Sequence, residues 1–234
     1  MSYFFSPIAY VVMTVFLIIT GILFHITLVE FQGNIIPDQE PMEYIYGSSF
    51  WITQLILIPT ITMRLFSEDK RTGYIEVLLS APIRDYEVVL GKYLGASIYY
   101  VILWLPTWIY VFILYQLTTP DIGPILTGFL GVILIGLFFS ALGLLASALT
   151  KNQVISSVVC FCMIALIFAI GKIKDTEIPL TPTQSTILQH ISLLDHSLDF
   201  SKGIIDTSYI AYYISVIVLS LYFTVRILES RRWT

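Results

Sequence analysis

The side chains that could bind a metal ion or take part in catalysis are few in this sequence. His190 and His196 lie close to Asp195 and Asp199, and imidazole and carboxylate groups are common zinc ligands. A metal site would need further ligands at helical spacing, and the surrounding residues do not supply them. His25 lies in an apolar run and has no such neighbour. We therefore predict neither a metal ion nor a catalytic residue in this chain.

The sequence also lacks the short motifs of phosphate binding and of hydrolytic chemistry. It has no Gly-x-x-x-x-Gly-Lys-Ser/Thr loop, whose backbone amides would hold the phosphates of ATP. It has neither a His-Glu-x-x-His nor a Gly-x-Ser-x-Gly sequence. Cys160 and Cys162 are two residues apart, so on a helix they face different directions and share no metal. A membrane-embedded enzyme is therefore disfavoured.

The composition indicates the elements that must position any functional residue. Of 234 residues, 57% are apolar and 12% are charged, which is about half the charged fraction of a soluble domain. Apolar runs close to 20 residues long recur, and a helix needs about that length to cross a bilayer. The net charge of −4 is small and no basic stripe is present, so we expect no nucleic-acid partner.

These runs predict an all-α, polytopic membrane protein with six transmembrane helices. Lipid offers the backbone no hydrogen-bond partners, so each span must be helical. The predicted spans are 8–29, 48–65, 88–117, 122–149, 154–170 and 209–228. Pro59 and Pro106 lie inside the second and third spans and should kink them.

The lysines and arginines predict the orientation, because cytoplasmic loops carry an excess of both. Three of the 12 lie between the fifth and sixth spans, and the other nine fall on the opposite side of the membrane. The nine are Arg64, Lys70, Arg71, Arg84, Lys92, Lys151, Arg226, Arg231 and Arg232. Both termini and the segment between the second and third spans are therefore predicted to be cytoplasmic.

Polar and small residues inside the spans have two possible roles. Those on the second and fifth spans could line a translocation path or form hydrogen bonds between helices, and they are Thr53, Gln54, Ser156 and Ser157. Small residues recur along one stripe of the fourth span, where a helix of this chain or of a second copy can approach closely. The stripe consists of Gly136, Ser140, Gly143 and Ser147.

The long segment between the fifth and sixth spans contains "TILQHISLLDHSLDF". Five apolar side chains fall near one helical face, which predicts an amphipathic helix over about 185–199 that lies on the outer membrane surface or dips into it. They are Ile187, Leu188, Ile191, Leu194 and Leu198.

Charge is concentrated in "RLFSEDKRTGYIEVLLSAP", residues 64–82. Ser67 can cap a helix there that carries Glu68 and Asp69 in its first turn. We predict a short amphipathic helix over about 68–80, lying across the cytoplasmic ends of the spans with its charges toward the cytosol. Basic residues alone would be enough to set the orientation of the chain in the membrane, and acidic residues contribute little to it. Orientation therefore does not explain the acidic residues of this segment. Charges of both signs are instead typical of a surface that docks to another protein.

The segment "EDKRTGYIEVLLSAPI", followed by "VVLGKYLG", resembles the region between the second and third spans of ABC-2 type transporter permeases. The matching residues are Glu68, Lys70, Arg71, Gly73, Glu76, Leu78, Leu79, Pro82, Gly91 and Lys92. "SYFFSPIAYVV", "LPTWIYVFILYQL" and "DFSKGIIDTSYIAYYISV" are also similar to that family. The resemblance is greatest to gliding-motility-associated permeases, which are related to nitrous-oxide-reductase maturation permeases.

The resemblance implies a type V exporter-like permease of a bacterial inner membrane that is not itself an enzyme and binds no cofactor. ATP and Mg²⁺ would bind a partner, a cytoplasmic ABC ATPase dimer. The helix at 68–80 would be the coupling helix, and its docking residues would be Glu68, Asp69, Lys70, Arg71, Thr72, Gly73 and Glu76. Six spans are half the usual set, which implies a second copy or a sister permease. An extracytoplasmic accessory protein is a further implied partner, with export or mechanical work as the outcome.

An ion-coupled secondary carrier is the alternative function. Such carriers place ionisable side chains near the middle of the membrane. Here Arg64 and Lys92 lie near cytoplasmic ends of spans, and Glu30 lies near an outer end. This placement favours the permease over the carrier.

Overall fold

The computed structural model describes residues 7–33, 48–75, 83–117, 121–173 and 190–231. Within these ranges the chain is helical and contains no strand. Its elements are α1 (Pro7–Gly33), α2 (Ser48–Thr62), α3 (Ser67–Thr72), α4 (Asp85–Trp104), a 3-10 turn (Leu105–Thr107), α5 (Trp108–Leu117), α6 (Ile122–Leu149), α7 (Gln153–Ile173), α8 (Leu193–Ser201) and α9 (Thr207–Arg231).

Six helical segments in this part of the chain are long and apolar enough to cross a membrane, which confirms the predicted all-α architecture. They are Ala9–Val29, Phe50–Thr72, Asp85–Leu117, Ile122–Leu149, Gln153–Lys172 and Thr207–Ser230. The two internal prolines act differently. At Pro106 a 3-10 turn separates α4 from α5, whereas α2 continues as one helix through Pro59.

Helix α6 is the centre of the bundle. It packs against α2, α3, α4, α7, α8 and α9, and most of its residues are buried. Close approach depends on glycine at three positions of α6. A Cβ atom at Gly131 would overlap Phe200 of α8, one at Gly136 would overlap the Tyr100 ring of α4, and one at Gly143 would overlap Thr62 of α2. Each neighbour therefore occupies space that a larger residue on α6 would take.

The small-residue stripe of the fourth span is buried within the chain. Gly136 and Gly143 receive Tyr100 and Thr62, while Ser140 and Ser147 are fully buried. Of the two roles open from the sequence, the described residues show packing between helices of this chain.

The bundle has two structurally different ends. At one end α3 lies against the end of α6 and the start of α7. At the other end α8 packs across α6 and α7, and Thr127 Oγ1 donates a hydrogen bond of 2.7 Å to the carbonyl of Phe200.

The predicted helix over 68–80 is shorter than expected. Helix α3 ends at Thr72 because Gly73 adopts φ of 73°, a left-handed conformation that ends a right-handed helix. Tyr74 and Ile75 are helical again, and residues 76–82 lie outside the described ranges.

The predicted outer helix is interrupted at Ser192, since His190 and Ile191 are helical and a second helix follows. Ser192 is extended, and its Oγ accepts from the backbone N–H of Asp195 at 3.3 Å, so α8 begins at Leu193. Residues 185–189, including Ile187 and Leu188, lie outside the described ranges. Leu193 and Phe200 are buried against the bundle. Helix α8 therefore packs against the bundle through Leu193 and Phe200, while Leu198 is 38% exposed. Its place at the outer membrane surface stays a prediction.

The glycine contacts predict that two substitutions in α6 have different effects on the melting temperature. Gly136→Ala forces the buried Tyr100 ring to move, and overpacking of this kind costs about 1–3 kcal/mol. The apparent melting temperature of the purified protein in detergent should therefore fall by about 2–4 °C for each kcal/mol.

Gly123→Ala is the matched control, because a Cβ at position 123 meets no atom within 4 Å. It should leave the melting temperature unchanged or raise it slightly. Equal melting temperatures for the two variants would show that the approach of α4 to α6 does not depend on Gly136.

Candidate functional site

Helix α3 is attached to the bundle through the start of its backbone. The N–H groups of Phe66 and Ser67 donate to Oγ of Ser147, at 2.9 and 3.0 Å. The first amides of a helix lack partners within that helix, so a serine of α6 supplies the acceptor that an N-cap side chain normally supplies. The predicted cap at Ser67 is wrong. Ser67 is the first helical residue, and its hydroxyl donates to the carbonyl of Met63.

Lys70 lies on the side of α3 that faces the bundle. It is buried, and its Nζ donates to the carbonyl of Ala148, one residue before α6 ends. Carbonyl groups at the end of a helix lack intrahelical donors and form the negative pole of the helix dipole, so they stabilise an ammonium group. The prediction that Lys70 belongs to the exposed docking face is therefore corrected.

Asp69 is also engaged within the bundle. Its carboxylate binds Nζ of Lys92 on α4, and the two side chains are only 19% and 23% exposed, respectively. The same Nζ donates to the carbonyl of Leu65 and lies 4.8 Å from the centroid of the Phe66 ring. Lys92 thus joins the start of α4 to the turn between α2 and α3.

The opposite side of α3 is open to solvent. Glu68, Arg71 and Thr72 are spaced three and four residues apart and therefore share one helical face. Arg71 and Thr72 are exposed, Glu68 is half-buried, and Tyr74 beyond the glycine is 55% exposed. The chain thus presents one carboxylate, one guanidinium, one hydroxyl and one phenol ring here. We call this group of four residues the α3 outer face.

The polar residues of the second span make contacts within the chain. Gln54 is fully buried and donates through Nε2 to the hydroxyl of Tyr100, which donates to the carbonyl of Val132 at 3.1 Å. This chain of bonds connects α2, α4 and α6. Thr53 is buried and borders an apolar groove of about 230 Å³ between α1 and α2, together with residues such as Phe16.

The two serines of the fifth span lie far from Gln54. Ser156 is buried one turn from Cys160, whose sulfur lies 3.8 Å from Oγ1 of Thr62. Gln54 precedes Thr62 by eight residues, which is about 12 Å along α2. Ser157 bonds to the backbone of its own helix at 2.9 Å. The four residues predicted as a possible translocation path are therefore not brought together along one surface.

The sequence of this bundle matches the family model described as ABC-2 family transporter protein over residues 37–228. The chain belongs to the ABC-2 transporter family. No curated protein matches the chain. The family and the six apolar helices make it a multi-pass membrane permease, the membrane component of an ABC transporter. Membership also implies an ATPase partner.

The predicted docking residues that the structure describes lie in three different settings. Glu68, Arg71 and Thr72 belong to the α3 outer face, Asp69 and Lys70 bind the bundle, and Gly73 forms the bend after α3. Glu76 lies outside the described ranges.

Sequence reasoning did not assign three residues that take part in this arrangement. Tyr74 follows Arg71 by three residues, and in the predicted helix over 68–80 that spacing was the available signal for its place beside the predicted docking residues. Lys92 belonged to the family pattern and Ser147 to the small-residue stripe, but neither signal indicated contact with α3.

A second polar cluster lies at the other end of the permease. His196 of α8 is fully buried, its Nδ1 lies 3.0 Å from the hydroxyl of Tyr213, and its ring stacks on Tyr209 with centroids 3.8 Å apart. The hydroxyl of Tyr209 donates to Asp199 at 2.7 Å. His190 is exposed, and among the described residues no three metal-ligating side chains form a group.

The burial of His196 predicts a pH-dependent stability. Burial lowers the pKa of His196 to about 4, although Asp195, Asp199 and Asp206 oppose the shift. The unfolded chain, with a His pKa near about 6.5, binds more protons than the folded chain between about pH 4 and pH 6.5. The stability that the buried, neutral His196 contributes is fully present above about pH 6.5 and is lost as the pH falls toward about 4. Lowering the pH to about 5 should reduce the free energy of unfolding by about 2 kcal/mol.

Thermal unfolding in detergent at about pH 7.5 and about pH 5 measures the effect. His196→Gln is neutral at both pH values and should show a smaller decrease than the wild type. A decrease of the same size in both proteins would assign the pH dependence to other groups.

Proposed function

We propose that this permease couples ATP hydrolysis by a separate cytoplasmic ABC ATPase dimer to export, or to mechanical work on an extracytoplasmic partner. The observation that carries the proposal is the arrangement of α3. One side of this short helix is bonded to α4 and α6, and the other side exposes charged and aromatic groups. A helix held in this way presents a fixed surface to a protein partner.

The α3 outer face has the composition of a protein interface. Tyrosine and arginine are enriched among the residues that dominate binding energy, and Tyr74 and Arg71 are both exposed here. Glu68 and Arg71 provide charges of both signs, which favour one orientation of the partner. We propose that these two residues, with Thr72 and Tyr74, contact the ATPase directly. Gly73 would then set the position of Tyr74, whereas Asp69 and Lys70 would contact the bundle and not the ATPase.

The remaining parts of the proposal rest on the sequence resemblance. The permease would act as a homodimer or with a sister permease, because its six spans are half the usual set. ATP and Mg²⁺ would bind the ATPase subunits. We assign the chain to the gliding-motility-associated branch, related to nitrous-oxide-reductase maturation permeases, in a bacterial inner membrane. The extracytoplasmic partner would bind near the end that contains α8.

Charge reversal on the α3 outer face tests the docking. An exposed charge pair is worth only about 0–1 kcal/mol, so Glu68→Lys and Arg71→Glu should each weaken ATPase binding modestly. The double variant should weaken it more, and Tyr74→Ala should also weaken it because an aromatic contact is lost. The measurement is the amount of ATPase that co-purifies with each variant in mild detergent, with membrane insertion checked separately.

Lys151→Glu is the matched control, because Lys151 is exposed on the predicted cytoplasmic side but lies outside α3. It should retain normal ATPase binding. If the double reversal and Tyr74→Ala also retain normal binding, the ATPase docks elsewhere. The charges of α3 would then serve only to set the orientation of the chain in the membrane.

Gly73 provides a separate test of the geometry. A Cβ atom there meets nothing within 4 Å, so the effect of a substitution comes from its φ of 73° and not from a clash. A residue other than glycine or asparagine costs about 1–2 kcal/mol in this conformation. Gly73→Val should therefore reduce ATPase co-purification, whereas Gly73→Asn should reduce it less. Equal losses would indicate that the side chain, and not the backbone bend, disturbs docking.

A further inference from the structure

The contacts between α3 and the spans form a second functional feature of the permease. Four side chains make them: Ser147 accepts from the first amides of α3, Lys70 binds the end of α6, and Lys92 binds both Asp69 and the turn after α2. We call Asp69, Lys70, Lys92 and Ser147 the clamp. Its bonds join α3 and the turn that precedes it to two other spans, those of α4 and α6.

The clamp holds α3 with charged side chains, although apolar side chains could hold a helix in the same place. Lys70 is buried, and moving an ammonium group out of water is costly unless good hydrogen bonds compensate for the lost hydration. Apolar replacements of buried ion pairs are often neutral or stabilising. Stability alone therefore does not account for a lysine at this position. What the lysine adds is a directional bond from its ammonium group to one carbonyl, that of Ala148.

From this geometry we infer that the clamp transmits the movement of α3 to the ends of α4 and α6, so that these elements move as one unit. Asp69, Lys70, Lys92 and Ser147 are positioning residues for coupling, distinct from the α3 outer face that binds the ATPase. The inference rests on the proposed function, because the ATPase supplies the movement. Without the clamp, a displaced α3 would act on the spans only through its covalent links and its packing against α6 and α7.

The first experiment tests the clamp in the permease alone, in lipid nanodiscs. Hydrogen–deuterium exchange of the Phe66 and Ser67 amides should become about tenfold faster in Ser147→Ala and Lys70→Met, since each variant removes a bond that holds this segment. Unchanged exchange in both variants would overturn the inference whether or not an ATPase binds.

The second experiment uses the complex with the co-purifying ATPase. The wild type should show a change in amide exchange in the last turns of α6 when ATP is added and hydrolysis is blocked with vanadate. In Lys70→Met and Lys92→Met the ATPase should remain bound and hydrolyse ATP, but the change in α6 should fall at least about tenfold. Lys92→Arg should show the same change in α6 as the wild type, because a guanidinium group can still bind both Asp69 and the carbonyl of Leu65.

Lys151→Met is the control. Lys151 is an exposed lysine just beyond α6, so its substitution should leave the α6 response unchanged.

A full α6 response in both Lys70→Met and Lys92→Met would overturn the inference. Loss of ATPase binding in these variants would also overturn it, by assigning the clamp to docking. If Lys70→Met does not insert into the membrane, Lys92→Met and Ser147→Ala decide the question. A wild type that binds no ATPase would instead contradict the proposed function.

Discussion

Helix ends inside a bundle need hydrogen-bond partners, and this requirement shapes the functional end of the permease. Within the bilayer and at its edge, the free carbonyl groups of a helix end and the free amides of a helix start are not all reached by water. Here Lys70 donates to the end of α6, Lys92 donates to the turn after α2, and Ser147 accepts from the start of α3. The groups that satisfy the backbone are therefore the same groups that hold α3 in place.

The same end combines strong attachment with exposure. The side of α3 that carries Lys70 is buried, while Arg71, the next residue, is exposed. A six-residue helix is too short to be stable alone, so its contacts with α6 and α4 must maintain it. Close packing supports those contacts, since Gly136 and Gly143 let α4 and α2 approach α6. The α3 outer face depends in this way on residues deep in the bundle.

The sequence was sufficient to predict the spans, because their length and apolar composition follow directly from the thickness of the bilayer. It also indicated the position of α3, since charged residues must leave the membrane. It did not indicate which side of α3 is buried. The apolar stripe placed all charges toward the cytosol, but the free carbonyl of Ala148 and the hydroxyl of Ser147 come from a helix almost 80 residues later. Such tertiary partners are not visible in local periodicity. The burial of His196 was missed for the same reason, because it depends on Tyr209 and Tyr213 of the following helix.

Site-specific photo-crosslinking of the assembled transporter tests most directly whether the α3 outer face contacts the ATPase. A photoreactive residue at Thr72 or Tyr74 should form a crosslink to the ATP-binding subunit. The same residue at Ile204, which is exposed between α8 and α9 at the opposite end, should form none. Absence of any crosslink from positions 72 and 74, in a preparation where the ATPase is bound and active, would contradict the account.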